Sequence, residues 1–296
     1  MMIVKMDLQV LKFFSVIAAE GSFLGASQKL GYAQSNLSTK IKQLEAELGA
    51  ELFHRTKQGV TLTEKGTVLL EYADKILRLT SEARSSIAEG DNISSSLHIG
   101  AMESAAITFL PNILTKFHFA EPSVQMTVET YVSRTAAQKV CDYELDGAFV
   151  AGGVLHPTLE HTTVFHEQLV LLARPAEHEP RDMEHLLSMP LLVLPTGCSY
   201  RQTLENLLAE KNILPNRIVE FRSLGALLAS ISAGLGVSLF PASVVGCFAG
   251  GQALEQYEIP EKYRNIPVHF IWRKKSNRNL TLEKFRLLIK EMKINK

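Results

Sequence analysis

The sequence predicts a chain in three parts: a small, mostly helical N-terminal unit, one long helix, and a larger α/β unit. Short runs with helical spacing fill residues 1–66, and a segment without proline follows up to about residue 88. Beyond residue 91, short β-prone runs alternate with helical runs, which is typical of an α/β arrangement. We therefore expect domain boundaries at 1–66, 67–90 and 91–296.

Three short helices and a small hairpin are predicted within residues 1–66. The first helix covers about 7–19, with Leu8, Leu11, Phe14 and Ala18 spaced along one face. Ser22 can cap the second helix, and Gly31 and Gly49 can end the second and third helices as left-handed residues. Two β-prone runs on either side of a Gln-Gly pair then predict the hairpin.

The third helix, about 34–48, carries a polar outer face. If Leu37 points inward, a rotation of 100° per residue turns a set of amide, hydroxyl and amine groups outward. This set consists of Gln34, Ser35, Asn36, Ser38, Thr39 and Lys42, and no carboxylate occurs before Glu45. Such groups can bind phosphates and base edges in a major groove, as the second helix of a helix-turn-helix does. A solvated polar face is the alternative that spacing alone leaves open.

The long helix has a narrow apolar seam, which is typical of a helix that pairs with another helix. The seam residues are Leu69, Tyr72, Ile76, Ala83 and Ile87. The alternative is packing on its own domain, but no neighbouring segment matches the seam in length. We therefore expect these residues to mediate dimerisation.

The α/β unit is expected to contain a largely parallel sheet, and about 200 residues allow two small lobes. The predicted strands are 97–100, 124–131, 147–151, 169–173, 191–194, 218–221, 237–240 and 268–272. The predicted helices are 107–119, 135–143, 200–211, 224–233, 242–248 and 282–291.

The composition is that of an ordinary globular protein and excludes several classes. Of 296 residues, 46% are hydrophobic and 21% are charged, and 31 basic side chains balance 31 acidic ones. A net charge of zero argues against binding nucleic acid through bulk charge, so a local surface would be needed. Three cysteines without CxxC spacing and nine histidines without an HExxH motif give no support for a metal site.

An uncharged stretch at 223–254 is the one segment that suggests a membrane span. Six glycines and Pro241 interrupt it, whereas a span needs about 20 predominantly apolar residues. We therefore predict a buried helix, strand and helix instead. The first residues also lack the features of a secretory signal, so we expect a cytoplasmic protein without membrane attachment.

Residues 33–55, which read AQSNLSTKIKQLEAELGAELFHR, resemble the signature of LysR-type transcriptional regulators. That signature is roughly Q-x-x-x-S-x-x-I-x-x-L-E-x-x-L-G-x-x-L-F-x-R, and the L-T-x-x-G that follows is met by LTEKG at 62–66. Weaker matches are FLP at 109–111, LDGA at 145–148 and GLGV at 234–237, so the resemblance covers the chain end to end.

The resemblance implies a winged helix-turn-helix, with the helix-turn-helix proper at about 23–42. Its DNA contacts would come from Ser22, the outer face of the third helix, and Arg55, Thr56 and Lys57 in the wing. The implied partners are double-stranded operator DNA, further copies of the chain in dimers and usually tetramers, and RNA polymerase. The sequence departs from the family at Ala33, where many members have a capping Ser or Thr, and at Thr39, where many have Arg.

The resemblance also implies that the α/β unit is a two-lobed effector domain similar to periplasmic binding proteins. Lobe I would comprise about 96–165 and 266–296, and lobe II about 166–265. A small-molecule effector would bind between the lobes at three strand-to-helix turns. The candidate contacts are Met102, Glu103, Ser104, Ser133, Arg134, Thr135, Cys198, Ser199 and Tyr200. Their hydroxyl and backbone N–H groups suit a carboxylate, whereas Glu103 leaves a neutral or cationic effector open.

Two other classes of protein are disfavoured. An enzyme with an added DNA-binding module would need a catalytic or cofactor motif, but the sequence has no G-x-G-x-x-G, P-loop or G-x-S-x-G. We expect no cofactor and no catalytic residue. A secreted solute-binding protein would carry a signal peptide. A redox role for Cys198 stays open, although a small residue in a turn is the simpler interpretation.

Overall fold

The structure, a computed structural model, describes residues 6–56, 59–87, 96–153, 156–175, 182–248, 254–274 and 279–294. The chain divides into two units, residues 1–89 and 90–296. The elements of the first unit are α1 (Leu8–Glu20), α2 (Phe23–Leu30), α3 (Gln34–Leu48), β1 (Phe53–Thr56), β2 (Gly59–Leu62) and α4 (Glu64–Ile87).

The ends of α1, α2 and α3 follow from local chemistry that is visible in the sequence. The Asp7 side chain accepts a hydrogen bond from the Gln9 N–H, and the Ser22 Oγ accepts one from the Gly25 N–H at 2.9 Å. Gly31 and Gly49 have φ of 71° and 62° and end α2 and α3. The predicted helices and hairpin are therefore confirmed, with Phe53 opposite Leu62 in the hairpin.

The inner face predicted for α1 was wrong in part. Leu8 is 42% exposed, whereas Val10, Phe13 and Ile17 are buried together with Leu11. Helix α1 contacts α2, α3, α4 and β2. Because neighbours surround it, α1 buries more than the single stripe that its spacing indicates.

Helix α4 also departs from expectation, because part of its apolar seam is covered within the same unit. Ala73 is fully buried, and Leu69 and Ile76 pack against the core that α1 helps to form. The Ser15 Oγ donates to the Asp74 Oδ1 at 3.0 Å, which ties α1 to α4. Packing on its own domain, the alternative to pairing, therefore accounts for part of the seam, while Tyr72 stays 59% exposed.

In the second unit, three short strands alternate with helices before one long strand, and a mixed region follows it. In order, its elements are β3 (Ser96–Ala101), α5 (Glu103–Thr108), α6 (Leu110–Ala120), β4 (Gln125–Thr130), α7 (Ser133–Cys141), β5 (Gly147–Ala151), β6 (Leu159–Ala173), α8 (Met183–Ser188), β7 (Leu191–Val193), α9 (Ser199–Glu210), β8 (Ile218–Glu220), α10 (Leu224–Ser232), β9 (Ser238–Pro241), α11 (Ala242–Val245), β10 (Glu255–Tyr257), α12 (Glu261–Arg264), β11 (Asn265–Arg273) and α13 (Leu280–Ile294).

The sheet is mixed rather than largely parallel, which corrects the prediction. Its order is β10-β6-β11-β5-β3-β4, and β9 also pairs with β6. Strand β3 runs parallel to β4 and β5, but β11 is antiparallel to β5 and β6. The antiparallel pairs arise because β6 carries the chain into the second lobe and β11 brings it back beside β6.

The apolar side chains of the uncharged stretch pack largely inside this unit, although Leu235 is 43% exposed. As predicted, the stretch contains a helix, a strand and a helix, namely α10, β9 and α11, and residues 249–253 lie outside the described ranges. Leu227, Ile231 and Phe240 are at most 1% exposed. Within the described residues, no helix is both long and apolar enough to cross a membrane.

Glu167 is a buried carboxylate in β6, at the level where the strand passes from one lobe to the other. It is 2% exposed, and the Ser243 Oγ donates a hydrogen bond to its Oε2 at 2.9 Å. Burial raises the pKa of Glu167 above its ordinary value of 4.5, and the bonds from Ser243 and the Gln168 backbone only partly oppose this.

Glu167→Gln is expected to stabilise the second unit at neutral pH. A raised pKa in the folded state means that the contribution of Glu167 to stability is greatest below its unfolded pKa and is lost as the pH rises through the folded pKa. Gln stays neutral and can still accept from Ser243. We expect a higher Tm for the variant at about pH 7.5 and a smaller difference at about pH 4. An equal loss of Tm at both pH values would contradict this.

Candidate nucleic-acid interface and ligand cleft

Helix α3 presents the predicted polar face to solvent. Gln34, Ser35, Asn36, Thr39 and Lys42 are exposed, and Ser38 is partly exposed. On the opposite side, Leu37 and Ile41 are fully buried and Leu44 is 2% exposed. The face therefore combines hydrogen-bond donors and acceptors on one helix, which is the chemistry that reading a major groove requires.

The turn between α2 and α3 holds the two helices in a fixed relation. Gly31 adopts the left-handed conformation and donates to the Ser27 carbonyl at 3.0 Å, and Ala26 and Leu37 are fully buried in the shared core. Ser22 has its Oγ engaged as the cap of α2. This arrangement is a helix-turn-helix with α3 as the helix that can enter a groove.

Ala33 is the N-cap residue of α3, and no side chain caps this helix. Its φ and ψ of −63° and 136° are extended, which is the conformation that a capping serine adopts. Ala33→Ser should therefore stabilise the first unit by about 1 kcal/mol. Chemical unfolding followed by the helical signal checks this, and an unchanged or lower unfolding free energy would count against the cap.

Arg55 belongs to β1 of the wing hairpin, and its side chain reaches towards α3. Its guanidinium is 3.4 Å from the Ser38 Oγ and 3.5 Å from the Glu45 Oε2, and it stacks 5.0 Å from the centre of the Phe23 ring. The other Glu45 oxygen accepts from the Leu52 N–H at 2.9 Å. Arg55 thus helps to position the wing against α3.

The tip of the wing is only partly described. Thr56 is exposed and its Oγ1 donates to the Gly59 carbonyl at 3.2 Å, beside the turn. The predicted contact Lys57 lies outside the described residues. Among the seam residues of α4, Tyr72 and Ala83 are exposed, and the side chain of Ile87 lies outside the described part of the structure.

A cavity of about 110 Å³ lies in the second unit at the starts of α5, α7, α9 and α10. Its lining combines apolar side chains with hydroxyls and two opposite charges. The lining residues are Met102, Glu103, Ser104, Thr130, Tyr131, Val132, Ser133, Ala151, Leu194, Pro195, Cys198, Ser199, Tyr200, Arg222 and Leu224.

Seven of the nine predicted contacts line this cavity, and two do not. Arg134 and Thr135 are exposed and absent from the lining, which corrects the prediction. They follow Ser133 in the first turn of α7, and each further residue rotates the side chain by about 100° away from the cavity. Arg134 still joins the two lobes, because its N–H donates to the Gly197 carbonyl at 3.3 Å.

Direct hydrogen bonds join the two lobes across the cleft. The hydroxyls of Ser104 and Tyr200 are 2.8 Å apart and both residues are buried. The Ser199 Oγ donates to the Ala151 carbonyl at 2.5 Å. Ser104 is therefore part of the cleft wall rather than a helix cap, because Met102 holds the N-cap position of α5.

Glu103 reaches from the first lobe to the start of α10 in the second. Its Oε2 accepts from the Leu224 N–H at 2.9 Å, and its Oε1 accepts from the Ser223 Oγ at 3.2 Å. A carboxylate at the N-terminus of a helix is favoured by the helix dipole. This explains why an acidic residue is stable in a turn that otherwise suits an anion.

Sequence reasoning missed Arg222, which lines the cavity and is exposed. It follows β8 and precedes α10 by two residues, so it occupies a strand-to-helix turn like the predicted contacts. The other three turns were selected because ligands bind where strands lead into helices, and the same rule could have selected the turn at Arg222.

Cys198 is 9% exposed, and burial raises the pKa of its thiol. The backbone N–H groups of Arg201 and Tyr200 and the charge of Arg201 only partly oppose this effect. Reactive cysteines have a lowered pKa and partial exposure. The environment of Cys198 is therefore typical of a structural thiol.

Comparison with known proteins connects both units to one family. The model of the bacterial regulatory helix-turn-helix protein, lysR family, matches residues 8–67, and that of the LysR substrate binding domain matches residues 90–293. The chain is 40% identical over 262 residues to the HTH-type transcriptional regulator YofA of Bacillus velezensis, covering 88% of this chain and 90% of YofA. It is 37% identical to the HTH-type transcriptional regulator GltR of Bacillus subtilis, over 91% of each chain.

Solved structures show the same architecture. Full-length OxyR from Pseudomonas aeruginosa, in a variant form, is 25% identical with a TM-score of 0.67, covering 96% of this chain and 95% of that one. The LysR family regulator CbnR has a TM-score of 0.71 at 22% identity, over 97% and 99% of the two chains. Two matched family models and relatives of up to 40% identity over nearly the full length show that this chain belongs to the LysR family of DNA-binding transcriptional regulators and is not an enzyme.

Proposed function

We propose that this regulator binds a partly symmetric operator as a homodimer and that a small molecule in the cleft modulates its action. The observation that carries the DNA contact is the outer face of α3, where six polar side chains are exposed or partly exposed opposite buried Leu37 and Ile41. Ser22, Arg55, Thr56 and Lys57 would add contacts to the phosphate backbone. Operator DNA lies in the cytoplasm, which would be the site of action.

Two substitutions on this face test the assignment. Lys42→Ala should weaken binding to every DNA sequence and reduce the slope of affinity against salt, because it removes a phosphate contact. Gln34→Ala should instead relax the preference for one base position. Fluorescence anisotropy at several salt concentrations measures both. If neither variant changes affinity for the operator at fixed salt, α3 is not the recognition helix.

The exposed side of α4 supports pairing of two chains. Val68, Tyr72 and Leu79 are 56%, 59% and 42% exposed, and Ala83 is exposed as well. The positions 68, 72, 79 and 83 repeat at the spacing of a helix-pairing stripe. Leu69 and Ile76 belong to the unit's own core, so we now assign dimerisation to this neighbouring stripe. Tetramers would form through the α/β units.

The cleft would take a small effector that carries a carboxylate. Arg222 offers a guanidinium at the cavity, and the N-termini of α7 and α9, where the helix dipoles favour negative charge, also lie there. An effector that stabilises one arrangement of the lobes would shift the population of DNA-bound states and alter contact with RNA polymerase.

For DNA as the partner, the similar regulator CbnR has been solved in complex with its target DNA.

A further inference from the structure

We infer that the effector is a small zwitterion of amino-acid size, with its ammonium held by Glu103 and its carboxylate facing Arg222. This inference rests on the proposed effector function and deepens it, because it assigns the ligand's charges. Glu103 and Arg222 both line the cavity and carry opposite charges. Among the described residues, the two side chains do not form an ion pair with each other.

The Glu103 carboxylate keeps capacity for a cation. Its two described donors, the Ser223 hydroxyl and the Leu224 N–H, are both neutral groups. A carboxylate offers about four acceptor sites, so about two remain after these bonds. An ammonium placed there would form charge-assisted hydrogen bonds, which are roughly twice as strong as neutral ones.

Arg222 keeps capacity for an anion. No hydrogen bond or ion pair of its guanidinium is found within the ranges that the structure describes, although the side chain lines the cavity. Arginine presents planar donors that match a carboxylate in a bidentate manner.

A ligand with a single charge would leave one of these groups uncompensated. A simple carboxylate would bind Arg222 but bring like charge towards Glu103, and a simple amine would do the reverse. Like charges placed together in a partly desolvated site are costly. A molecule with both groups satisfies both residues. The cavity, at about 110 Å³ and walled by Met102, Leu194 and Tyr200, favours a small molecule.

Calorimetric titration of the full-length protein with the protein α-amino acids tests this inference. Any amino acid that binds is compared with its desamino carboxylic acid and with its decarboxylated amine. We expect each single-charge analogue to bind about tenfold more weakly or worse, because it loses one charge-assisted interaction. Equal binding of either analogue, or no binding by any amino acid, would overturn the inference.

Glu103→Gln separates recognition from a structural role. Its side chain still offers an oxygen to the Leu224 N–H but lacks the negative charge. We expect the affinity for the amino acid to fall about tenfold while that for the desamino acid stays the same or rises. Equal weakening of both ligands would show that Glu103 only supports the cleft, which contradicts the inference. Glu184→Gln, an exposed residue of α8 outside the cleft, is the matched control and should bind both ligands like the wild type.

Operator affinity, measured with and without the same amino acid, tests the proposed function separately. If the amino acid binds but operator affinity does not change, the proposed effector function is rejected, whereas the inference that the cleft binds a zwitterion stands. A change in operator affinity caused equally well by desamino acids would keep effector action and reject the zwitterion.

Discussion

Gly66→Ala is expected to destabilise the first unit by about 3 kcal/mol and to abolish operator binding. An alanine Cβ at this position would lie 2.1 Å from the Leu52 carbonyl oxygen and 3.0 Å from the Leu62 Cδ2. The Leu52 oxygen cannot easily move, because it accepts a hydrogen bond from the Thr63 N–H at 3.0 Å. In a helix, alanine is otherwise favoured over glycine by about 1 kcal/mol, so the steric effect must outweigh a favourable propensity.

Two other glycines serve as controls for this prediction. Gly31 has open space around its missing Cβ but a φ of 71°, so Gly31→Ala should cost only about 1 kcal/mol. Gly153 has open space and lies in the second unit, so Gly153→Ala should leave the first unit unchanged. Chemical unfolding and operator binding measure all three variants. A Gly66→Ala protein as stable as the wild type would show that the start of α4 can move away from Leu52.

Thr39→Glu is expected to reduce operator affinity by about a hundredfold or more without a loss of stability. Thr39 lies at the centre of the exposed face of α3, and its hydroxyl only donates to the Ser35 carbonyl at 2.8 Å. A carboxylate there would face the phosphates and base edges of the DNA, and like charges across an interface cost several kcal/mol. Glutamate is a good helix former, so α3 itself should persist.

Thr115→Glu is the matched control for Thr39→Glu. Thr115 is also an exposed helical threonine, and its hydroxyl donates to the carbonyl four residues earlier, that of Pro111, at 2.8 Å. Both variants change the net charge equally, so a general charge effect would weaken DNA binding in both. We expect the loss only for Thr39→Glu, and a similar loss in both would contradict the assignment of the recognition face.

The helix-turn-helix was the most predictable region, because its signals are local. Ser22 at the start of α2, the left-handed Gly31 and Gly49, and the period of Leu37, Ile41 and Leu44 each act within a few residues. The polar face of α3 follows directly from that period. The family motif covers the same residues, so chemistry and resemblance agree there.

Elements that depend on distant partners were predicted less well. Only 169–173 of β6 was expected, whereas the strand begins at Leu159, since its first ten residues are mostly polar or half-buried and pair with β11 far along the chain. The helix predicted at 107–119 is two helices, α5 and α6, separated at Phe109. Pro111, which lacks an N–H, is accommodated in the first turn of α6.

Residue order and spacing within single elements were enough to predict α3 with its polar face, the wing hairpin and three of the turns that meet at the cleft, because these features depend on local signals. Tertiary packing was needed to establish which side of α4 stays exposed, that Arg134 does not line the cavity, and that Glu103 meets the start of α10 beside Arg222. These contacts join residues that lie up to 121 positions apart, and the packing of the two lobes, rather than local periodicity, brings them together.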